Sequence, residues 1–69
     1  MTGDDWKERA QGVQVKLRNA ATEIEVEEVA SEARFFVAEL YESSDKLKQG
    51  MAHILINLKD QRLIDLRRS

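Results

Sequence analysis

The sequence contains no cysteine and no proline, and its 69 residues include a single histidine and three glycines. Without cysteine the chain has neither a disulfide nor a thiolate metal site, and one histidine cannot form a zinc site by itself. The absence of proline is compatible with long, uninterrupted helices. No apolar run approaches the roughly 18 residues that cross a membrane. We therefore expect no cofactor, no metal and no membrane contact.

The first residues, Met1 to Trp6, are acidic and lack an apolar centre, so we expect no signal peptide and a cytoplasmic protein. Hydrophobic residues make up 42% of the chain and charged residues 35%, which is typical of a soluble helical domain. Residues 1–69 suffice for one small domain, whose core supplies only about 3–5 kcal/mol by itself. Association with another chain is the expected source of further stability.

The stretch from Val26 to Leu58 has an apolar or small residue at every position that a buried helical seam requires. These positions follow one another at alternating steps of four and three residues, as in a heptad repeat. We call them the seam: Val26, Ala30, Ala33, Val37, Leu40, Ser44, Leu47, Met51, Ile54 and Leu58.

The predicted fold is mainly α, either a short helical bundle or an antiparallel coiled-coil oligomer. We expect helices at about 5–20 and 23–49, with a helical continuation at about 51–67. A first apolar stripe from Trp6 to Ile24 is out of phase with the seam, so the helix must break near residues 21–26. Thr22 and Glu25 match a capping box, in which each side chain binds the backbone N–H of the other residue.

Three alternatives accompany this prediction. Residues 13–27 also alternate between apolar and polar types, which permits an N-terminal β-hairpin before a long helix, an α+β fold. Between Ser43 and Gly50 a continuous or kinked helix is favoured over a helical hairpin, because the seam keeps its phase there. The tail, from His53 to Leu66, is apolar almost all round, so a helix there is buried on several sides or lies at an interface; two short strands are the alternative.

Phe35 is expected on the back of the middle helix, where it could receive the N-terminal segment. Charge is segregated along the chain: residues 22–45 carry eight acidic groups and one basic group, whereas residues 46–69 carry six basic and two acidic groups. Attraction between these segments favours a chain that folds back or two chains that pack antiparallel.

Three groups of residues suggest chemistry, each with a simpler interpretation. His53 lacks a neighbouring nucleophile in the sequence, so an exposed or interface histidine is favoured over a general base. Glutamates between Glu23 and Glu32 are favoured as a solvated face over a carboxylate metal site. A basic end from Lys59 to Arg68 is favoured as a complement to the helix dipole over a nucleic-acid contact.

We expect a non-enzymatic helical module for oligomerisation or protein binding, acting as a scaffold, adaptor or regulatory subunit. Its partner is a second copy, as a dimer or tetramer, or another helical protein; nucleic acid and membrane are not expected partners. The alternative function is a small dimeric regulator that contacts nucleic acid through its basic C-terminal end. The expected interface residues are Val26, Ala30, Ala33, Val37, Leu40, Leu47, Met51, Ile54 and Leu58.

Overall fold

The computed structural model describes residues 5–68, which form four helices. They are α1 (Asp5–Asn19), α2 (Glu23–Glu32), α3 (Arg34–Glu42) and α4 (Lys46–Arg68). The mainly α prediction is confirmed. The β-hairpin alternative is wrong, because residues 13–19 belong to α1 and residues 23–27 to α2, and no strand occurs among residues 5–68.

Helices α2 and α3 form one kinked rod. The N–H of Ala33 donates to the carbonyl of Val29 at 3.0 Å, and the carbonyl of Ala33 accepts from the N–H of Val37 at 2.8 Å. Ala33 itself has φ −89° and ψ 0°, which opens the helix locally without ending it. The chain is therefore a bundle of three rods, α1, α2–α3 and α4, with the middle rod bent at Ala33.

The rods run up, down and up. α4 contacts all three other helices. The N-terminal end of α1 lies beside the start of α4, since Lys48 Nζ lies 5.9 Å from the centre of the Trp6 ring. The C-terminal end of α1 lies beside the far end of α4, where Arg62 binds the carbonyl of Ala20. Thus α1 and α4 are parallel, and α2–α3 is antiparallel to both.

Two apolar clusters fill the bundle along its length. The first contains buried Ala10, Phe36, Leu40, Ala52 and Leu55, with Trp6 packed at its edge. The two alanines are fully buried, so a small residue on α1 and another on α4 let three rods approach closely around Phe36.

The second cluster contains buried Leu17, Ala20 and Val26, covered by half-buried residues near the end of α4. Val13 on α1 contacts both clusters and joins them. The first apolar stripe therefore faces inward from Trp6 to Ala20, while its last member, Ile24, is exposed.

The chain reverses at residues 43–45, inside the stretch for which a continuous helix was favoured. The N–H of Asp45 donates to Ser43 Oγ at 3.1 Å, and the N–H of Leu47 donates to Asp45 Oδ1 at 2.9 Å. Serine and aspartate side chains compete in this way with helical hydrogen bonds and favour turns and helix starts. The hairpin alternative is the observed one, and its turn precedes Gly50, which lies inside α4.

The predicted break between α1 and α2 is present, and Thr22 caps α2. Thr22 Oγ1 accepts the N–H of Glu25 at 3.1 Å, and Glu25 Oε2 accepts the N–H of Ala21 at 3.2 Å. This differs from a standard capping box in one hydrogen bond, because the Glu25 carboxylate accepts the N–H of Ala21 instead of that of Thr22. The expectation for Phe35 is wrong: α1 packs on the Phe36 side of α3, and Phe35 is 71% exposed with the Arg34 guanidinium over its ring.

Candidate functional surface

The seam is divided between the inside and the outside of the bundle. Val26, Ala33 and Leu40 are buried within the chain, so the interface in which these three residues take part is the one between this chain's own helices. A partner cannot reach them in this fold. The half-buried members are Ala30, Val37, Met51 and Leu58, and the exposed members are Ser44, Leu47 and Ile54.

The exposed members on α4 belong to a second row of residues with its own heptad spacing. Leu47, Ile54 and Ile64 are 69%, 51% and 47% exposed. Three exposed polar or small residues lie between them at alternating steps of three and four, which places all six on one helix face. We call this row the α4 stripe: Leu47, Gly50, Ile54, Asn57, Gln61 and Ile64.

A groove of about 420 Å³ adjoins the N-terminal half of the α4 stripe. Its α1 wall contains Trp6 and Gln11, and its α4 wall contains Leu47, Met51 and Ile54. The groove is therefore mainly apolar, with an aromatic ring at one end. Such a channel between two parallel helices is suited to the apolar side chains of a third helix.

Lysines surround the Trp6 end of the groove. The Nζ atoms of Lys7 and Lys48 lie 5.7 and 5.9 Å from the centre of the Trp6 ring, within cation–π range. The Lys46 side chain forms part of the rim. This end of the surface is positively charged around its apolar floor.

Sequence reasoning identified Leu47 and Ile54 of the α4 stripe, and Met51 of the groove, but missed the other members of the α4 stripe. Gly50, Asn57 and Gln61 are not apolar, so a search for apolar periodicity passes over them. The signal that could have found the row is Ile64, which continues the steps of Leu47 and Ile54. The apolar residues all round the tail also indicated that α4 has more apolar surface than one side of a bundle can cover.

His53 is exposed on α4, and its ring lies 5.3 Å from the Tyr41 ring on α3. The glutamates between Glu23 and Glu32 are all exposed. In residues 5–68 no three histidine, aspartate or glutamate side chains come together closely enough to bind a metal ion. These groups therefore offer a partner only surface charge and one aromatic pair.

The basic end is largely used within the bundle. Arg62 donates to the carbonyl oxygen of Ala20 through Nε and Nη2 at 3.0 and 2.7 Å. Arg67 forms an ion pair with Glu23, and Lys59 lies 3.5 Å from the Asp60 carboxylate. The attraction between the acidic middle and the basic tail thus operates inside one chain.

Comparison of the chain with protein-family models, with curated proteins and with solved structures gives no match. Of the helices between Asp5 and Arg68, none combines the length and the apolar character that crossing a membrane requires. The α4 stripe and its groove bring exposed Leu47 and Ile54 together with Trp6 and Met51 on one surface.

Proposed function

We propose that this protein is a non-enzymatic helical interaction module that associates with another helix through the α4 stripe and the adjoining groove. The observation that carries the proposal is the exposure of Leu47 and Ile54, two large apolar residues one heptad apart on the same face. Burial of such residues is the main favourable contribution to helix association, at roughly 25 cal/mol per Å² of apolar area.

The groove supports the same function, because it places Trp6 and Met51 beside the exposed residues. A partner helix in this position buries its apolar side chains against an aromatic ring and a methionine, both of which adapt well to protein contacts. A scaffold, adaptor or regulatory subunit would use a surface of this kind. The nucleic-acid alternative has less support, because Arg62 and Arg67 are bound to groups in the same chain.

The test is sedimentation equilibrium of three proteins over about 10 μM to 1 mM: the wild type, Leu47→Asp and Ile24→Asp. Ile24 is the matched control, because its 68% exposure is close to the 69% of Leu47 and it lies on α2, outside the α4 stripe. We expect the wild type to exceed its monomer mass of 7.9 kDa as concentration rises. Loss of a buried leucine contact weakens the association of Leu47→Asp by at least about tenfold.

Ile24→Asp should associate as the wild type does. Circular dichroism of all three proteins checks that the helices are retained. A wild type that stays monomeric over the whole range, or a Leu47→Asp protein that associates as strongly as the wild type, would contradict the proposal.

A further inference from the structure

We infer that the bundle contains a binding site for a small apolar carboxylate, in a cavity that opens between the α2–α3 rod and α4 beside the kink at Ala33. The inference is independent of the proposed function, because the residues that line this cavity are not those of the α4 stripe. Its support comes from the size and position of the cavity, from the alanines that create it and from two cationic side chains at its mouth.

The cavity lies where the two apolar clusters meet. Leu55 of the first cluster and Leu17 of the second both line it, together with Val13, which contacts both clusters. Its volume is about 160 Å³. An apolar cavity of about 150 Å³ holds a benzene molecule, so this one has room for an apolar group of about six carbon atoms.

The space exists because the middle rod presents two alanines to it. Ala30 and Ala33 line the cavity, one just before the kink and one at the kink. Neither side chain is long enough to fill the gap between the clusters. Protein cores are normally filled to the density of an organic crystal, so an apolar gap of this size leaves lining atoms without contacts that a ligand can supply.

The mouth of the cavity is positively charged, since its charged lining residues are exposed Arg34 and half-buried Lys59. The Arg34 guanidinium lies 4.8 Å from the centre of the Phe35 ring, which supports the face of its plane and leaves the N–H groups at its edge accessible. Within residues 5–68 the Arg34 side chain forms no hydrogen bond or ion pair. Its donors are therefore available to a ligand.

Two carboxylates lie near the mouth without neutralising it. Lys59 Nζ is 3.5 Å from the Asp60 carboxylate, in a partly exposed pair of a kind that contributes little. Glu27 lines an adjoining depression with Arg34 and Lys59, and in the described part of the chain it forms no ion pair with either.

The arrangement selects a ligand with an apolar body and an anionic head. Small-molecule sites are mainly apolar, and a few polar groups fix the orientation of the ligand. Here the body fills the cavity beside Leu17 and Leu55, and the head remains at the surface between Arg34 and Lys59. A carboxylate suits this position because its two oxygens match the paired N–H groups of a guanidinium.

The test is an NMR titration of the full chain, labelled with ¹³C at its methyl groups, at constant ionic strength. The probes are benzoate, benzyl alcohol and benzylamine, which share a phenyl ring and differ in the charge of the head. We expect benzoate to shift the methyl resonances of Val13, Leu17 and Leu55 with a dissociation constant of about 0.1–10 mM. Benzyl alcohol should bind about two- to fivefold more weakly, and benzylamine more weakly again.

Two substitutions separate the head from the body of the ligand. Arg34→Gln should weaken benzoate by about two- to fivefold and leave benzyl alcohol unchanged. Arg18→Gln is the matched control, because it removes the same charge from an exposed position of α1 outside the cavity. Ala30→Leu fills the cavity and should weaken benzoate and benzyl alcohol by at least about tenfold, with circular dichroism checking that the helices are retained.

The inference is overturned if the lining methyl groups do not shift at about 20 mM benzoate, or if the shifts centre instead on Leu47 and Ile54. Equal affinity for benzoate and benzylamine would overturn the assignment of an anionic ligand. If Ala30→Leu loses its helices, the decision rests on the charge variants: equal weakening of benzoate by Arg34→Gln and Arg18→Gln would overturn the site, and selective weakening by Arg34→Gln supports it.

Discussion

At the level of single residues, Thr22 carries a definable share of stability. Its hydroxyl accepts the N–H of Glu25, one of the backbone donors at the start of α2 that have no partner within the helix. The residue lies between two helices that pack together in the second apolar cluster, so a loss of the cap affects the connection as well as α2 itself.

Thr22→Ala should lower the free energy of unfolding by about 1 kcal/mol, because alanine leaves that N–H without its side-chain acceptor. Urea denaturation followed by circular dichroism measures the change. Ser31→Ala is the control, since Ser31 is an exposed residue of α2 and alanine is the better helix former there. An equal loss in both variants would contradict the assignment of Thr22 as the cap.

The two helical glycines, Gly12 and Gly50, provide a matched pair of substitutions. Each lies inside a helix, and a Cβ built on either one meets no atom within 4 Å. Replacement of either by alanine should raise the free energy of unfolding of the dilute monomer by about 0.5–1 kcal/mol, because alanine restricts the unfolded chain.

The two variants should differ in association. Gly50→Ala adds a methyl group within the α4 stripe, where the proposed function places a partner helix, so its association should be several-fold weaker than that of the wild type. Gly12→Ala should associate as the wild type does, because Gly12 lies on α1 outside the α4 stripe. Sedimentation equilibrium distinguishes them; equal association of both variants would argue against association through the α4 stripe.

At the level of the elements, Arg62 connects the end of α1 to α4. Two guanidinium nitrogens bind the carbonyl of Ala20, one residue beyond the helix, in a partly buried position. Carbonyls at a helix C-terminus have no intrahelical donor, and a cation satisfies them both as a hydrogen-bond donor and through the dipole. Arg62 was expected to complement the helix dipole within the basic end, and in the structure it bridges α4 to the end of α1.

Arg62→Gln should lower the free energy of unfolding by about 1.5–3 kcal/mol, the typical range for a hydrogen bond made by a charged group. The control is Arg68→Gln, which removes the same charge from an exposed position at the end of α4. Denaturant titration of both variants should show little change for Arg68→Gln. If the two variants lose stability equally, the effect belongs to net charge and not to the Ala20 contact.

The turn between α3 and α4 shows why heptad spacing alone misidentified an element. The seam keeps its phase across Ser43–Asp45, yet the chain reverses there, because spacing records which residues are apolar and not whether the helix between them is continuous. Local hydrogen bonds made by Ser43 and Asp45 determine the turn. Asp45 was the usable signal, since an aspartate one residue before Lys46 is a favoured helix cap.

At the level of the whole molecule, the fold assigns each apolar residue of the seam to one of two uses. Because α4 turns back along α2–α3, Val26, Ala33 and Leu40 are enclosed by the chain's own helices. Residues on the far face of α4, including Leu47 and Ile54, remain outside. A bundle of three short rods has no fourth rod to cover that face, and this geometry is the physical basis of the proposed association.

Charge follows the same arrangement. The acidic α2–α3 rod runs antiparallel to α4. The ion pair between Glu23 and Arg67 joins the start of this rod to the basic C-terminal end of α4. This pair is exposed, so it directs the orientation of the helices more than it stabilises them. The apolar clusters, which include fully buried Leu17 and Val26, supply the larger share of the folding free energy.

The sequence by itself determined the helical class, the cap at Thr22 and the inward face of α1, because these depend on residues within one or two turns of each other. Only the tertiary structure decided which half of the seam is enclosed, that Phe36 and not Phe35 faces α1, and that the α4 stripe is exposed. Those outcomes depend on where the chain reverses. The three-residue turn at 43–45 determines which faces of α3 and α4 are buried and which are exposed. The spacing of apolar residues in the sequence is the same whether or not the chain turns there.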